Sequence, residues 1–595
     1  MHTQQKSSSS GLRGATGNGR TGHRTASSRH TRDAEARRIK AEARPKKRAN
    51  MPYLQNHAGL LLLLAAAARA FTRPPALAAR GQALQRVRMA DAASAAAPGS
   101  TVPATITAAR IEAAVRETRG RHTAESARQI YALFDPFTRE QVPVKVALRG
   151  ALPPDLPGGA YLRIGPNPRP GRKEPGFLDA DGMLLSIVIR PPEERADHCL
   201  FSSAWVRTAG FQKEEAAGGD LFQGTLGAAP RGWPVLAAVI NNFVRGKQAV
   251  KDTCNTAVSY HAGKILALME QCRPSEVRVS KTGELHTIKA LSDLNGSIPF
   301  DPLTGGALGA HSRVDPSTGE KIAVSYATGG PGQGPPTARH DVWNAKGKLT
   351  HSVTVPLPAP IMIHDLAITP SLSVIFDLPL TVRIEKAFLD RFLVEYEKDT
   401  PGRLGLLPRY ASSSNQVQWF DVEAGVVLHA CNAYHDAQGR VVVQAFRAVP
   451  ADPTAYIAKF TPAFPYQWIL DPATGRCVEE RYLSDTPTEF PNMSPHMHGR
   501  EASYCYALSL SSAGGVIDGQ PVTPYRMPQE SPRFDSLVKV DLKRGGIAQQ
   551  FHLPRHSLFV SEPIFVHRSQ GLFRVQGSVH PLCVRAYLAP QLPLL

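Results

Sequence analysis

Three histidines lie in short phrases of strand-like composition. They are His311 in Gly-Ala-His-Ser-Arg-Val-Asp-Pro, His364 in Met-Ile-His-Asp-Leu-Ala-Ile-Thr, and His429 in Val-Val-Leu-His-Ala-Cys-Asn-Ala-Tyr. Neutral imidazole binds iron, copper, nickel and zinc, so histidines gathered from three distant segments would make a transition-metal site assembled by the fold. A single histidine in such a phrase is more often a hydrogen-bonded structural residue. Only the fold can bring residues this far apart together, so the metal reading depends on the elements that carry them.

From about residue 140 the chain is a series of short β-branched and aromatic runs separated by Gly, Pro and Asp. That pattern predicts an all-β chain. Four turns share a signature: Asp315-Pro-Ser-Thr-Gly319, Asp421-Val-Glu-Ala-Gly425, Asp471-Pro-Ala-Thr-Gly475 and Asp541-Leu-Lys-Arg-Gly545. Asp can cap the turn with its side chain and Gly can take positive φ, as a hairpin requires. Hairpins recurring at roughly 50 residues predict radially repeated four-stranded blades, a β-propeller, over a single large sandwich. Two helices are expected. Ile106–Arg121 reads as a solvated lead-in helix. In Trp233–Arg245 the apolar residues Trp233, Leu236, Ile240, Phe243 and Val244 recur at helical spacing, which suits either core packing or a membrane interface.

The formal charge of +19 suggests a nucleic-acid partner until it is located. Residues 1–100 carry +14 of it, leaving +5 on the other 495, so the folded part is nearly balanced and nucleic acid is not expected as a partner. The first 100 residues are rich in Arg, Ser and Ala and poor in acids, and read as an organellar transit peptide in preference to a secretory signal. The apolar run Leu60–Ala68 is too short to cross a bilayer. Seven scattered cysteines without a Cys-x-x-Cys pair indicate neither a disulfide framework nor a thiolate zinc site, and point to a reducing compartment.

Read in order, the phrases of residues 135–568 resemble the carotenoid cleavage dioxygenases, or carotenoid oxygenases. The series starts at Val146-Ala-Leu-Arg-Gly150, runs on to Tyr161-Leu-Arg-Ile-Gly-Pro-Asn-Pro168, and continues through Leu178-Asp-Ala-Asp-Gly-Met183, Trp205-Val-Arg-Thr208, Cys254-Asn-Thr-Ala257 and Ala267-Leu-Met-Glu270. The histidine phrases follow, with Arg403-Leu-Gly-Leu-Leu-Pro-Arg409 between the second and third, and then Thr488-Glu-Phe-Pro491 and Ser561-Glu-Pro-Ile-Phe-Val566.

The resemblance implies a seven-bladed β-propeller with a few helices capping one face. It implies an axial Fe(II) held by four histidines, of which three are matched by His311, His364 and His429. It also implies three glutamates bonded to the outer nitrogens of the ligands, here Glu270, Glu489 and Glu562. The expected reaction is O2-dependent scission of one conjugated double bond of a carotenoid or apocarotenoid into two carbonyl products. The phrases look most like the 9,10-cleaving and epoxycarotenoid-cleaving branch, and with the transit-like first segment a plastid location is expected. Stilbene cleavage and retinoid isomerisation are the alternatives on the same scaffold.

Residues 569–595 do not match the family. The fourth histidine has no counterpart there: His567 and His580 are the histidines available, and the surroundings of His580 do not fit. Ala180 and His435 are smaller departures. The domain reading is therefore a basic segment at 1–100, a lead-in helix at 101–134, a propeller at 135–568 with its last blade incomplete, and a divergent tail. An abrupt loss of resemblance suggests a misread exon boundary. A tail as written instead implies a catalytically impaired propeller that only binds a polyene or a partner.

Overall fold

The computed structural model describes residues 106–118, 136–148, 150–171, 177–225, 232–292, 294, 298–300, 307–329, 334–389, 391, 393–450, 461–513, 532–553 and 562–566. Their strands form six antiparallel four-stranded sheets, which are the blades of a β-propeller, in chain order at 141–205, 257–289, 313–356, 367–422, 426–482 and 488–552. Blade 1 has a different strand order from the rest. Its edge strand, Gln141–Ala147, comes first in the chain and pairs with His198–Trp205, so the sheet ends on Gly159–Pro166. The other five run in sequence order from one edge to the other. Blade 4 carries a two-stranded insert, Leu380–Val382 with Val394–Tyr396.

Blades stack face to face, so a middle strand is covered on both sides and loses the apolar–polar alternation of a half-exposed strand. Val441–Ala448 in blade 5 is buried at all eight positions. The cores accordingly lie between blades. One joins Val374, Phe376, Leu404 and Phe420 of blade 4 to Val443, Tyr466 and Trp468 of blade 5. Others join blades 3 and 4 through Val342, Val355, Ile375 and Leu407, and blades 5 and 6 through Phe446, Ala507 and Val538. Blades 1 and 2 and blades 2 and 3 meet in the same way.

Seven blades were expected and the described residues form six. The segment 562–566 follows blade 6 and touches both neighbours of the expected seventh. The Phe565 backbone N–H donates to Asn492 Oδ1 of blade 6 at 3.2 Å, and Val566 packs against Ile187, Ile189 and Cys199 of blade 1. The predicted targeting segment and the divergent tail, with His567 and His580, lie outside the described residues.

Among the described residues three α-helices accompany the blades: α1 (Ala108–Thr118), α2 (Ala209–Ala217) and α3 (Trp233–Gly246). Thr208 caps α2 by accepting the Phe211 N–H, and Gly218 ends it at a φ of 66°. In α3 the apolar stripe expected from sequence divides. Leu236 is buried together with Val235, Ala238 and Asn242. Trp233 and Val244 face outward, 65% and 66% exposed. No helix among the described residues is long and apolar enough to cross a membrane.

Candidate metal centre

Each of the three histidines lies at or beside the first strand of its blade. His311 precedes Arg313–Val314 of blade 3, His364 precedes Ala367–Ile368 of blade 4, and His429 lies within Val426–His435 of blade 5. Pairing of that last strand is irregular between Val427 and Ala430, so the backbone is displaced at His429 itself. The fold closes separations of 53 and 65 residues into one cluster. Ring centroids of His311 lie 4.6 Å from His364 and 4.8 Å from His429, and those of His364 and His429 are 5.2 Å apart. One nitrogen from each ring falls within 4.8 Å of the others.

Two of the three predicted glutamates join this cluster. Glu270, just past the strand Lys264–Leu268 of blade 2, accepts from His364 Nδ1 at 2.9 Å. Glu489, in the first strand of blade 6, accepts from His429 Nδ1 at 2.7 Å. A carboxylate only accepts, so each bond places the proton on Nδ1 and leaves Nε2 with its lone pair free for a metal. Glu562 is exposed, and no bond from it to an imidazole is seen among the described residues. Its charge still reaches His429 and Arg163.

The electrostatics distinguish the rings. Burial, then the neighbouring His364 and His429 and the Arg313 cation, hold His311 well below the ordinary histidine range, so it stays neutral. Burial also opposes protonation of His429, but Glu489, Asp365 and Glu562 outweigh it and raise its pKa. Burial, with the Glu270 charge beside it, keeps the Tyr326 phenol protonated. Three imidazoles, His429 buried and the other two partly so, with two outer nitrogens committed to carboxylates, suit a divalent transition metal and leave room in its coordination sphere for other ligands.

Phe490 is a site neighbour that the sequence reading quoted but gave no role. Its ring lies 5.0 Å from that of His429 and 5.2 Å from Phe534. It takes a φ of 60°, rare for an aromatic residue, and the blade 6 pairing slips between Glu489 and Asn492. Its backbone N–H also donates to Glu489 Oε2 at 2.7 Å.

Comparison with known proteins agrees with this architecture. Residues 134–577 match the family described as RPE65, retinal pigment epithelial membrane protein. The chain is 28% identical over 456 residues to carotenoid 9,10(9',10')-cleavage dioxygenase 1 of Phaseolus vulgaris, covering 74% of this chain and 78% of that protein. It is 27% identical over 464 residues to apocarotenoid-15,15'-oxygenase of Synechocystis, covering 74% and 85%. Among solved structures, cobalt-substituted Synechocystis apocarotenoid oxygenase superposes with a TM-score of 0.58 at 24% identity, over 75% of this chain and 88% of that one. Lignostilbene dioxygenase of Pseudomonas brassicacearum superposes equally well, at 0.58 and 24%, over 73% and 85%. The family match extends over both the strands that carry the histidines and the blades between them, and the chain belongs to the RPE65 family of carotenoid oxygenases.

Proposed function

We propose that this chain is an Fe(II)-dependent dioxygenase that breaks one conjugated double bond of a carotenoid or apocarotenoid and delivers both atoms of O2 to the two new carbonyls. The observation that carries the reading is the cluster of His311, His364 and His429, with Glu270 and Glu489 on the outer nitrogens of two of them. Iron, when bound, supplies the spin-allowed oxygen chemistry that organic side chains lack. The protein's part is to hold three neutral imidazoles, fix their tautomers and surround them with apolar groups such as Phe490.

We place the substrate in the 9,10-cleaving or epoxycarotenoid-cleaving branch, following the bean 9,10-cleavage relative and the 9-cis-epoxycarotenoid dioxygenase of rice, 28% identical over 436 residues. Glu562 is assigned as a third orienting carboxylate. Residues 562–566 are assigned to the first strand of a seventh blade, because they touch both blade 6 and blade 1. A plastid location follows the chloroplastic relatives; a fluorescent fusion of residues 1–100 that stays outside plastids would count against it.

Membrane contact is assigned to α3 through its outward Trp233 and Val244. Trp233→Asp is expected to cut flotation with anionic liposomes several-fold without moving the melting temperature; unchanged flotation contradicts the assignment.

The test of the reaction is aerobic incubation of Fe(II)-loaded full chain with a C40 carotene, a 9-cis-epoxycarotenoid, an apocarotenal and a hydroxystilbene, with products identified by mass. Paired aldehydes or ketones from a polyene support the reading. Cleavage of the stilbene alone moves the protein to that branch, and binding of a polyene without products supports a binding-only propeller.

A further inference from the structure

One buried ion pair ties together all three histidine-bearing segments. Arg313, two residues after His311, donates from NH2 to Asp365 Oδ2 at 2.5 Å and to the Ala430 carbonyl at 2.8 Å, and from Nε to the Leu366 carbonyl at 3.1 Å. Asp365 directly follows His364, and Ala430 directly follows His429. The Asp365 carboxylate in turn accepts the Ala430 N–H at 3.0 Å and the Leu366 N–H at 2.7 Å. Asp365 is 5% exposed. Blades 3, 4 and 5 therefore meet at one guanidinium–carboxylate pair, within two residues of every candidate ligand.

We propose that Arg313 and Asp365 are positioning residues that set the spacing of the three histidines. The role rests on the reading of His311, His364 and His429 as metal ligands. The guanidinium suits the task because its planar fork is always charged and can bind a carboxylate and two carbonyls in one fixed geometry. Asp365 accepts three charge-assisted bonds, two of them from backbone N–H groups. None of these bonds goes to an imidazole, so the clamp works through the main chain. A metal site whose ligands come from three separate blades needs such a tie, because sub-ångström drift between blades changes ligand separation directly.

The test is a Co(II) titration of the full metal-free chain, read by visible absorption, for wild type, Asp365→Asn, Arg313→Gln, Arg313→Lys and the Arg313→Gln/Asp365→Asn pair. The double variant removes the buried charge that each single neutral variant leaves unpaired. Melting curves of the metal-free chains are recorded alongside. The expected result is a Kd about 10–100-fold weaker, with an altered absorption band, for both neutral single variants and the double variant. Arg313→Lys keeps the charge beside Asp365 but loses the fork that reaches the two carbonyls, and is expected between wild type and the neutral variants.

Neutral variants that melt earlier yet bind Co(II) with the wild-type Kd and band would overturn the proposal and leave the pair a purely structural tie. Folded wild type that binds no Co(II) would overturn the ligand reading itself.

Discussion

The proton on Nδ1 of His364 and of His429 is committed to a glutamate, and that commitment decides which nitrogen can face a metal. Losing the carboxylate charge weakens the hold on the ring and lowers the ring's basicity. Glu489→Gln is therefore expected to weaken Fe(II) or Co(II) binding about 10–100-fold. Glu562→Gln, removing a charge that reaches His429 without a described imidazole bond, is expected to weaken it by less than Glu489→Gln does. Equal effects in a metal titration would contradict this ranking. A second residue effect is thermodynamic. Lys321 is fully buried, donates to Ser259 Oγ at 2.5 Å, and is pulled by burial from 10.5 to about 7. Between those values the unfolded chain binds more protons than the folded one, so stability rises with pH across that window, and the penalty is complete below about 7. Lys321→Met is expected to raise the melting temperature at pH 6 and flatten its rise between pH 7 and 10. A variant melting lower at pH 6 would contradict it. At this scale the sequence was legible where chemistry restricts residue type: the histidines stood out in their phrases, and the glutamates only through the family resemblance. Arg313, Asp365 and Phe490 stood in the same phrases without a signal, because their roles are contacts with segments distant in the chain.

At the scale of elements, turn chemistry was legible in proportion to how local it is. Asp315–Gly319, Asp471–Gly475 and Asp541–Gly545 are hairpin turns with positive φ at the glycine and the Asp carbonyl accepting its N–H. Asp421–Gly425 is different: it joins blade 4 to blade 5, and its glycine is needed because a Cβ would lie 2.6 Å from Arg447 Nε. Hairpins at Ser280–Gly283, Asn344–Gly347 and Asp436–Gly439 do the same work with another capping residue or one residue less, so the Asp-based pattern passed over them. The lead-in helix begins at Ala108, two residues after the expected Ile106, and is described to Thr118; residues 119–121 lie outside the described residues. One element feeds the site directly. Gly309, two residues before His311, has a φ of 75°, and a Cβ there would sit 2.7 Å from the Val324 carbonyl oxygen. Gly309→Ala is expected to cost roughly 1–3 kcal/mol and to weaken metal binding together with stability. Denaturation and Co(II) titration measure both, and an unchanged Kd would show that the turn does not set His311.

For the whole molecule, the informative quantity was where the charge lies. Of the net +19, +14 lies in the first 100 residues, which leaves the other 495 nearly balanced. The propeller was legible as repeated strands and turns, and its blades pack through middle strands buried on both faces, such as Val441–Ala448 with Gln444 and Arg447 in it, that no alternation rule identifies. The number of blades was less accessible: six are formed by the described residues, and segment 562–566 bridges blade 6 to blade 1.

The central claim is that three histidines from three blades hold an iron that cleaves a polyene. It is tested most directly by anaerobic Fe(II) titration of the full chain, followed by one addition of 18O-labelled O2 to the carotenoid complex, for wild type and His364→Ala. The account predicts one iron bound per wild-type chain, two carbonyl products each carrying label, and neither binding nor product in the variant. Wild type that binds iron and polyene but yields no labelled carbonyls, or a variant that cleaves as well as wild type, would contradict it.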